Sequence, residues 1–294
     1  MHPATRLREL LARPGMIEAP GVYDAFTAKI AEAMGFEAVY IGSSLVAASS
    51  YGLPDIGVVK ASEFIEHARR ITAVSDIPII LDVDDAGGTP QQVARTVRSA
   101  EAVGVAAMHI EDLETSAGKH LLEGSGTGSG TYDFGHETLM PVAKAVANIR
   151  AAVEARSNPD TVIVGRSDAT PITGVDDAIE RVNAYADAGA DMIKLAHLDV
   201  DDLEKVAANT TAPILYYNLK TPPSDREIAL RAGVKIRFHP FATLIPAMDA
   251  VVTALSELRD TGSLLSLDTI PSYTSAQEYV GAADWAAKAR GGSR

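Results

Sequence analysis

One phrase recurs four times along the chain: a run of Ala-rich helical sequence, a glycine, then a continuous apolar run. It reads AKIAEAMGFEAVYIG from Ala28, VRSAEAVGVAAMHIED from Val97, VNAYADAGADMIKLAHL from Val182 and REIALRAGVKIRFHP from Arg226. In each copy the glycine (Gly35, Gly104, Gly189, Gly233) stands where a helix ends in the left-handed conformation. The runs that follow are not alternating, as expected of parallel strands covered on both faces. Further strand-like runs lie between the copies, at 17–22, 78–81, 161–164 and 213–217. Helical patterns cover 62–74, 90–103, 139–155, 175–188, 201–208 and 241–258. The count is about eight strand–helix units, which predicts a (β/α)8 TIM-type barrel of the α/β class. An open doubly wound sheet would carry a Gly-rich turn after its first strand, and VYDAFTAK at Val22 has none.

The predicted division is a barrel over residues 1–265 and an extra C-terminal helical segment over 266–294. That tail carries the only Trp, Trp285, and apolar residues beyond a complete barrel suit docking on another subunit. Leu122 to Gly135, LEGSGTGSGTYDFG, is a Gly/Ser/Thr-rich loop after strand four. It suits a surface insertion, but on the face where strands end it suits an active-site lid better.

Chemistry in such a barrel gathers at the C-terminal ends of strands. Those ends read Tyr23-Asp24, Gly42-Ser43-Ser44, Asp82 and Asp84, Glu111-Asp112, Arg166-Ser167-Asp168, His197, Asn218 and His239. The densest is PIILDVDDAGG, from Pro78: an apolar strand running into three carboxylates and a Gly-Gly turn. Buried carboxylates need compensation, and a divalent cation is the usual one. Asp82 and Asp84 lie two apart and share a face on an extended strand, whereas Asp85 faces away. Several carboxylates beside one Arg suit a hard cation such as Mg2+ and an anionic substrate. Zinc fits less well, since the His residues are scattered and cysteine is absent. His109, in an Ala-rich strand, reads as a packed core residue, and His197 and His239 equally as rim residues.

Bulk properties narrow the partners. A net charge of −13 argues against nucleic acid and anionic membranes, both of which need a basic face. Without cysteine there is no disulfide and no Cys nucleophile, which fits a reducing compartment. MHPATRLRELLARPG lacks the apolar core of a signal peptide, and a cytoplasmic location is expected.

The pieces PGVYDAFTAKIAEAMGFEAVYIGSS, YGLPD, PIILDVDDAGG, GVAAMHIED, VIVGRSDA and AYADAGAD, in this order from about Ala19 to Ala254, resemble the isocitrate lyase/phosphoenolpyruvate mutase superfamily. The resemblance implies a Mg2+-dependent barrel, with Mn2+ as a substitute. It also implies a homo-oligomer, a dimer or tetramer with exchanged C-terminal helices. Such enzymes make or break C–C or P–C bonds beside a carboxylate through an enolate. By position, Asp82, Asp84 and Glu111 would form the metal shell and Asp55 a further acidic residue beside it. Ser43 and Ser44 would offer backbone N–H groups to the substrate carboxylate, and Arg166 would pair with its carboxylate or oxyanion. Asn218 and His239 join them as expected substrate contacts.

Two departures mark the chain. Cys-dependent lyases of the superfamily carry a Lys-Lys/Arg-Cys-Gly-His loop after strand four, where this sequence reads LETSAGKHL. The box D-x-D-x-G-Y-G is D-V-D-D-A-G-G, with glycine at Gly87 in place of the aromatic. The Cys-free branches include oxaloacetate decarboxylases, and His120 is the candidate proton donor in place of the Cys, its reference pKa lying near 6.5. The expected activity is C–C cleavage of a small 2-oxo or 2-hydroxy dicarboxylate. The alternatives are a P–C enzyme of the phosphonopyruvate hydrolase or phosphoenolpyruvate mutase kind and an inactive binding barrel.

Overall fold

The computed structural model describes residues 1–114, 138–217, 224–265 and 272–291. Eight parallel strands form the core: β1 (Ile17–Pro20), β2 (Val39–Ile41), β3 (Ile79–Asp82), β4 (Ala107–Glu111), β5 (Val162–Ser167), β6 (Met192–Leu195), β7 (Leu215–Tyr216) and β8 (Ile236–His239). Strands β2 to β6 pair in sequence order, and β8 pairs with both β7 and β1. Parallel bridges from Gly21 to Tyr40 and from Ile193 to Ile214 close the two remaining gaps. The sheet is therefore a closed barrel, as the repeat count predicted.

The helices are α1 (Pro3–Ala12), α2 (Ala25–Ala33), α3 (Ser43–Val46, continuing as a π turn to Tyr51), α4 (Ala61–Thr72), α5 (Pro90–Ala102), α6 (Val142–Ala155), α7 (Val175–Asp187), α8 (Val200–Ala208), α9 (Asp225–Arg231), α10 (Leu244–Thr261), α11 (Tyr273–Tyr279) and α12 (Ala282–Gly291). Gly35, Gly104, Gly189 and Gly233 have φ of 85°, 86°, 103° and 74°, the left-handed helix stops expected of them. Two segments were not foreseen. The first is α1, whose Ala4, Leu7 and Leu10 pack with the lumen residues Ile17, Ile80 and Val162. Arg8 ties it to Asp191 at 2.7 Å, ahead of β6, so α1 plugs the N-terminal end of the barrel. The second is the short α3 immediately after β2.

Two apolar layers follow from strand alternation. Ile80, Ala107, Val164, Met192, Leu215 and Phe238 fill the lumen. Their neighbours Leu81, Met108, Ile163 and Ile193 pack outward against Val93, Ile149, Val182 and Leu203 of the surrounding helices. Helix α10 breaks the pattern: none of its residues is buried, and Met248, Val251, Val252 and Leu255 are 55–60% exposed. The predicted boundary at 265/266 and the tail's first residues lie at and beyond the edge of the described residues.

Candidate active site

Strand β3 ends at Asp82, and the chain then turns sharply. Asp84 has φ 51° and Ala86 has φ 53°, followed by Gly87 and Gly88 at 101° and 73°. Such a conformation costs a non-glycine residue about 1–2 kcal/mol. The turn is fixed where it meets β4: the Asp84 carbonyl accepts the Glu111 N–H at 2.9 Å, and the Asp84 N–H donates to Asp82 Oδ1 at 3.0 Å. Asp82 and Asp84 thus meet through a left-handed turn rather than through strand alternation. Asp85 serves the turn, accepting the Gly87 N–H at 2.8 Å. A side chain at Gly87 would place its Cβ 2.7 Å from that of Gln92, so this turn has no room for the superfamily's aromatic.

Asp82, Asp84 and Glu111 are buried, and each offers an oxygen within 4.8 Å of the others. Arg166 enters from β5, where it is in register with Glu111. Its Nη1 lies 2.8 Å from Glu111 and 3.3 Å from Asp82, and its Nη2 lies 2.7 Å from Asp168. Burial pushes the Asp168 carboxyl up, but the Arg166 charge and hydrogen bond outweigh it and hold the group below its ordinary value. Three buried carboxylates thus lie within ion-pairing distance of Arg166, and Asp84 lies beside two of them. An all-oxygen set of this kind, with geometry to spare for water, fits a hard divalent cation. Asp82, Asp84 and Glu111 would hold that cation, which when bound supplies positive charge for an enolate oxygen.

A second set of groups orients the first. Asp82 Oδ2 is 3.1 Å from the Tyr40 hydroxyl and 3.4 Å from Ser43 Oγ. His109 Nε2 meets the same hydroxyl at 3.0 Å, its ring stacked on Tyr40. A carboxylate only accepts, so Tyr40 donates to Asp82 and His109 Nε2–H donates to the phenol oxygen. His109 is thus a core residue, as read, but its core is the lumen beneath the carboxylates. Ser43 and Ser44 open α3, where the first backbone N–H groups have no intrahelical acceptor.

The remaining expected site residues do not all join this cluster. Asp55 is half-buried in the connection between α3 and α4 and is not one of the three clustered carboxylates. His239 alternates with the lumen residues Ile236 and Phe238, and its Nε2 binds Glu18 at 2.9 Å on the outer side of the barrel. Asp112 likewise turns away from Glu111, accepting from Tyr185, Ser167 and the Asp168 N–H at 2.7–2.8 Å. His197 is exposed, with φ 54°, and sits edge-on to Tyr217. His120, Asn218 and the loop 122–135 lie outside the described residues. A cavity of about 640 Å³ opens beside the cluster rather than over it, behind Asp84 between α4 and α5.

One lumen residue was missed. Lys194, on β6, is 2% exposed and in register with Arg166. Its signal was available: a lysine inside the apolar run MIKL is out of place unless it has a task.

A family model described as phosphoenolpyruvate phosphomutase matches residues 7–259, and the chain belongs to this family. Its relatives include a 2-methylisocitrate lyase of Shewanella oneidensis, 32% identical over 94% of this chain and 92% of that protein. An oxaloacetate decarboxylase of Pseudomonas fluorescens is 32% identical over 95% of this chain and 94% of its own. Among solved structures, oxaloacetate acetylhydrolase in complex with 3,3-difluorooxalacetate superposes with a TM-score of 0.87, at 30% identity over 99% of this chain and 97% of that one. These relatives bear different names at nearly the same distance, so likeness alone does not choose among their substrates.

Proposed function

We propose that the protein is a Mg2+-dependent carbon–carbon lyase that cleaves a small 2-oxo or 2-hydroxy dicarboxylate through an enolate. The observation that carries this reading is the convergence of Asp82, Asp84, Glu111 and Arg166, all buried or nearly so, in one barrel mouth. In this reading the three carboxylates hold Mg2+, or Mn2+ in its place. The Ser43 and Ser44 N–H groups take the substrate carboxylate, and Arg166 stabilises the developing oxyanion as preorganised charge. Tyr40 and His109 keep Asp82 aimed at the metal position. Asp55 stands as a further acidic residue near the metal; His120, the candidate proton donor, and Asn218, an expected substrate contact, lie outside the described residues. The lyase and decarboxylase relatives, each 32% identical to this chain, support cleavage of a C–C rather than a P–C bond.

The bare apolar face of α10 supports an oligomer in which this helix packs on a partner copy. No described helix is long and apolar enough to cross a membrane, which is compatible with the expected cytoplasmic location.

The test is turnover of a panel of 2-oxo and 2-hydroxy diacids by purified protein with Mg2+, against Asp82→Ala. Turnover of at least one diacid that Asp82→Ala lacks is expected; equal rates in the two proteins, or none, would refute the proposal. Phosphorus NMR after incubation with phosphonopyruvate should show no new signal.

A further inference from the structure

Among the described residues, the lumen holds three basic side chains around the carboxylates, and two are committed. Arg166 is bound by three carboxylates, and His109 is held by Tyr40. Lys194 is the third. Its amine makes no hydrogen bond and no ion pair among the described residues, and it lies over two aromatic rings. The Nζ lies 5.0 Å from the Phe238 ring centre and 5.3 Å from that of Tyr217. Registered neighbours on parallel strands project to the same side. Lys194 therefore enters the lumen beside Arg166, across from the carboxylates of β3 and β4.

A buried amine with no partner is expensive to keep unless it exchanges its proton. Several groups face it. Burial and the Arg166 charge favour the neutral amine; Asp82, Asp168 and Glu111 favour the ammonium, as do the faces of Tyr217 and Phe238. The balance brings the amine down to about 7, where both forms are populated at neutral pH. A dianionic substrate entering this lumen adds negative charge and draws a proton onto it.

The geometry points to Lys194 as a further catalytic residue: its ammonium meets the enolate carbon of the bound acid and protonates it. This rests on the enolate reading above. After C–C cleavage the enolate carbon carries the electron pair of the broken bond. A C–H bond forms as an N–H bond breaks, and the neutral amine regains its proton from solvent. In reverse, the amine removes a proton from the carbon beside the carbonyl or carboxylate of the product.

Two measurements test this. Exchange of the carbon-bound protons of pyruvate and succinate for deuterium, followed by proton NMR with Mg2+-loaded protein in D2O, reads the proton step alone. Wild type is expected to exchange one of them, with Lys194→Met and Lys194→Arg slower by about 10²-fold or more. Added primary amines should partly restore Lys194→Ala, which a merely structural lysine would not allow. Competitive acylation of wild-type protein across pH, mapped to Lys194 by mass spectrometry, reads the amine without any activity or refolding question. A midpoint near 7 is expected, and a midpoint at the ordinary lysine value overturns the proposal, because the proton would then be held too tightly. Wild-type exchange retained in Lys194→Met and Lys194→Arg but lost in His120→Ala also overturns it and assigns the step to the loop. Wild type that exchanges nothing and cleaves no diacid refutes the enolate reading itself, and this proposal with it.

Discussion

The barrel carries two ionic clusters built from the same residue types on opposite sides of its wall. Inside, Asp82, Glu111 and Asp168 meet Arg166, and Asp84 clusters with the first two. Outside, Glu18 and Asp225 meet Arg237 at 3.0 and 2.8 Å, with His239 and Arg226 also on Glu18. The outer cluster balances its charges within itself, and Glu18 shows the result. Burial raises its carboxyl, but hydrogen bonds from His239 and Arg237 bring it down to about 2. The inner cluster differs in form: three of its carboxylates bring oxygens within 4.8 Å of one another, beside a guanidinium that meets Asp82, Glu111 and Asp168. An ion-pair network on the outer wall is a structural device, whereas carboxylates clustered against one another in a barrel mouth suit a cation and a substrate.

The comparison can be broken at several points. The largest effect is expected inside: Asp82→Ala or Glu111→Ala should lower turnover by about 10³-fold, on the scale of losing one preorganised transition-state contact. The same variants should abolish the rise in melting temperature that Mg2+ gives wild type by binding the folded state. A full Mg2+ shift in both variants would remove the carboxylates from the metal site. Tyr40→Phe takes one hydrogen bond from Asp82 and should weaken Mg2+ by about 10–100-fold, read by calorimetry, with the fold unchanged by circular dichroism.

Outside, Arg237→Met should leave turnover per folded molecule unchanged while costing about 3–5 kcal/mol in urea unfolding, since it takes the guanidinium from the buried Asp225 carboxylate. Turnover falling as much as in Asp82→Ala would erase the distinction between the clusters. Glu18→Gln should cost on the order of 2 kcal/mol at pH 7. Its folded carboxyl is depressed, so that stability is present above about 4.5 and is lost as pH falls toward 2. The gap between variant and wild type should therefore close in acid; a constant gap would show that charge is not the cause. Asp85→Asn, on the turn but outside the cluster, should change Mg2+ affinity least of all.

How far the site was legible depended on how each residue reaches it. Asp82, Glu111 and Arg166 end regular strands, so position along an apolar run was enough to place them on one rim. Asp84 was matched to its partner for a reason that does not hold: it sits beyond the strand, with φ 51°. His239 shows the limit of rim position alone. It ends β8 as expected, yet alternation turns it outward to Glu18. Lys194 is hidden inside the apolar run MIKL, before the expected strand end at His197, yet register puts it level with Arg166.

The sequence by itself determined the barrel. Period, glycine stops and continuous apolar runs are local properties, repeated often enough to dictate eight strands and their order. It also determined which carboxylates stand at strand ends. Only the tertiary structure decided which side of the wall each side chain occupies once a strand gives way to a turn. It alone separated the inner cluster from the outer one, because their members come from distant parts of the chain: Arg166 and Asp82 are 84 residues apart, and His239 and Glu18 are 221 apart. It alone put Lys194 beside Arg166, where burial and its neighbours set the affinity of its amine for a proton.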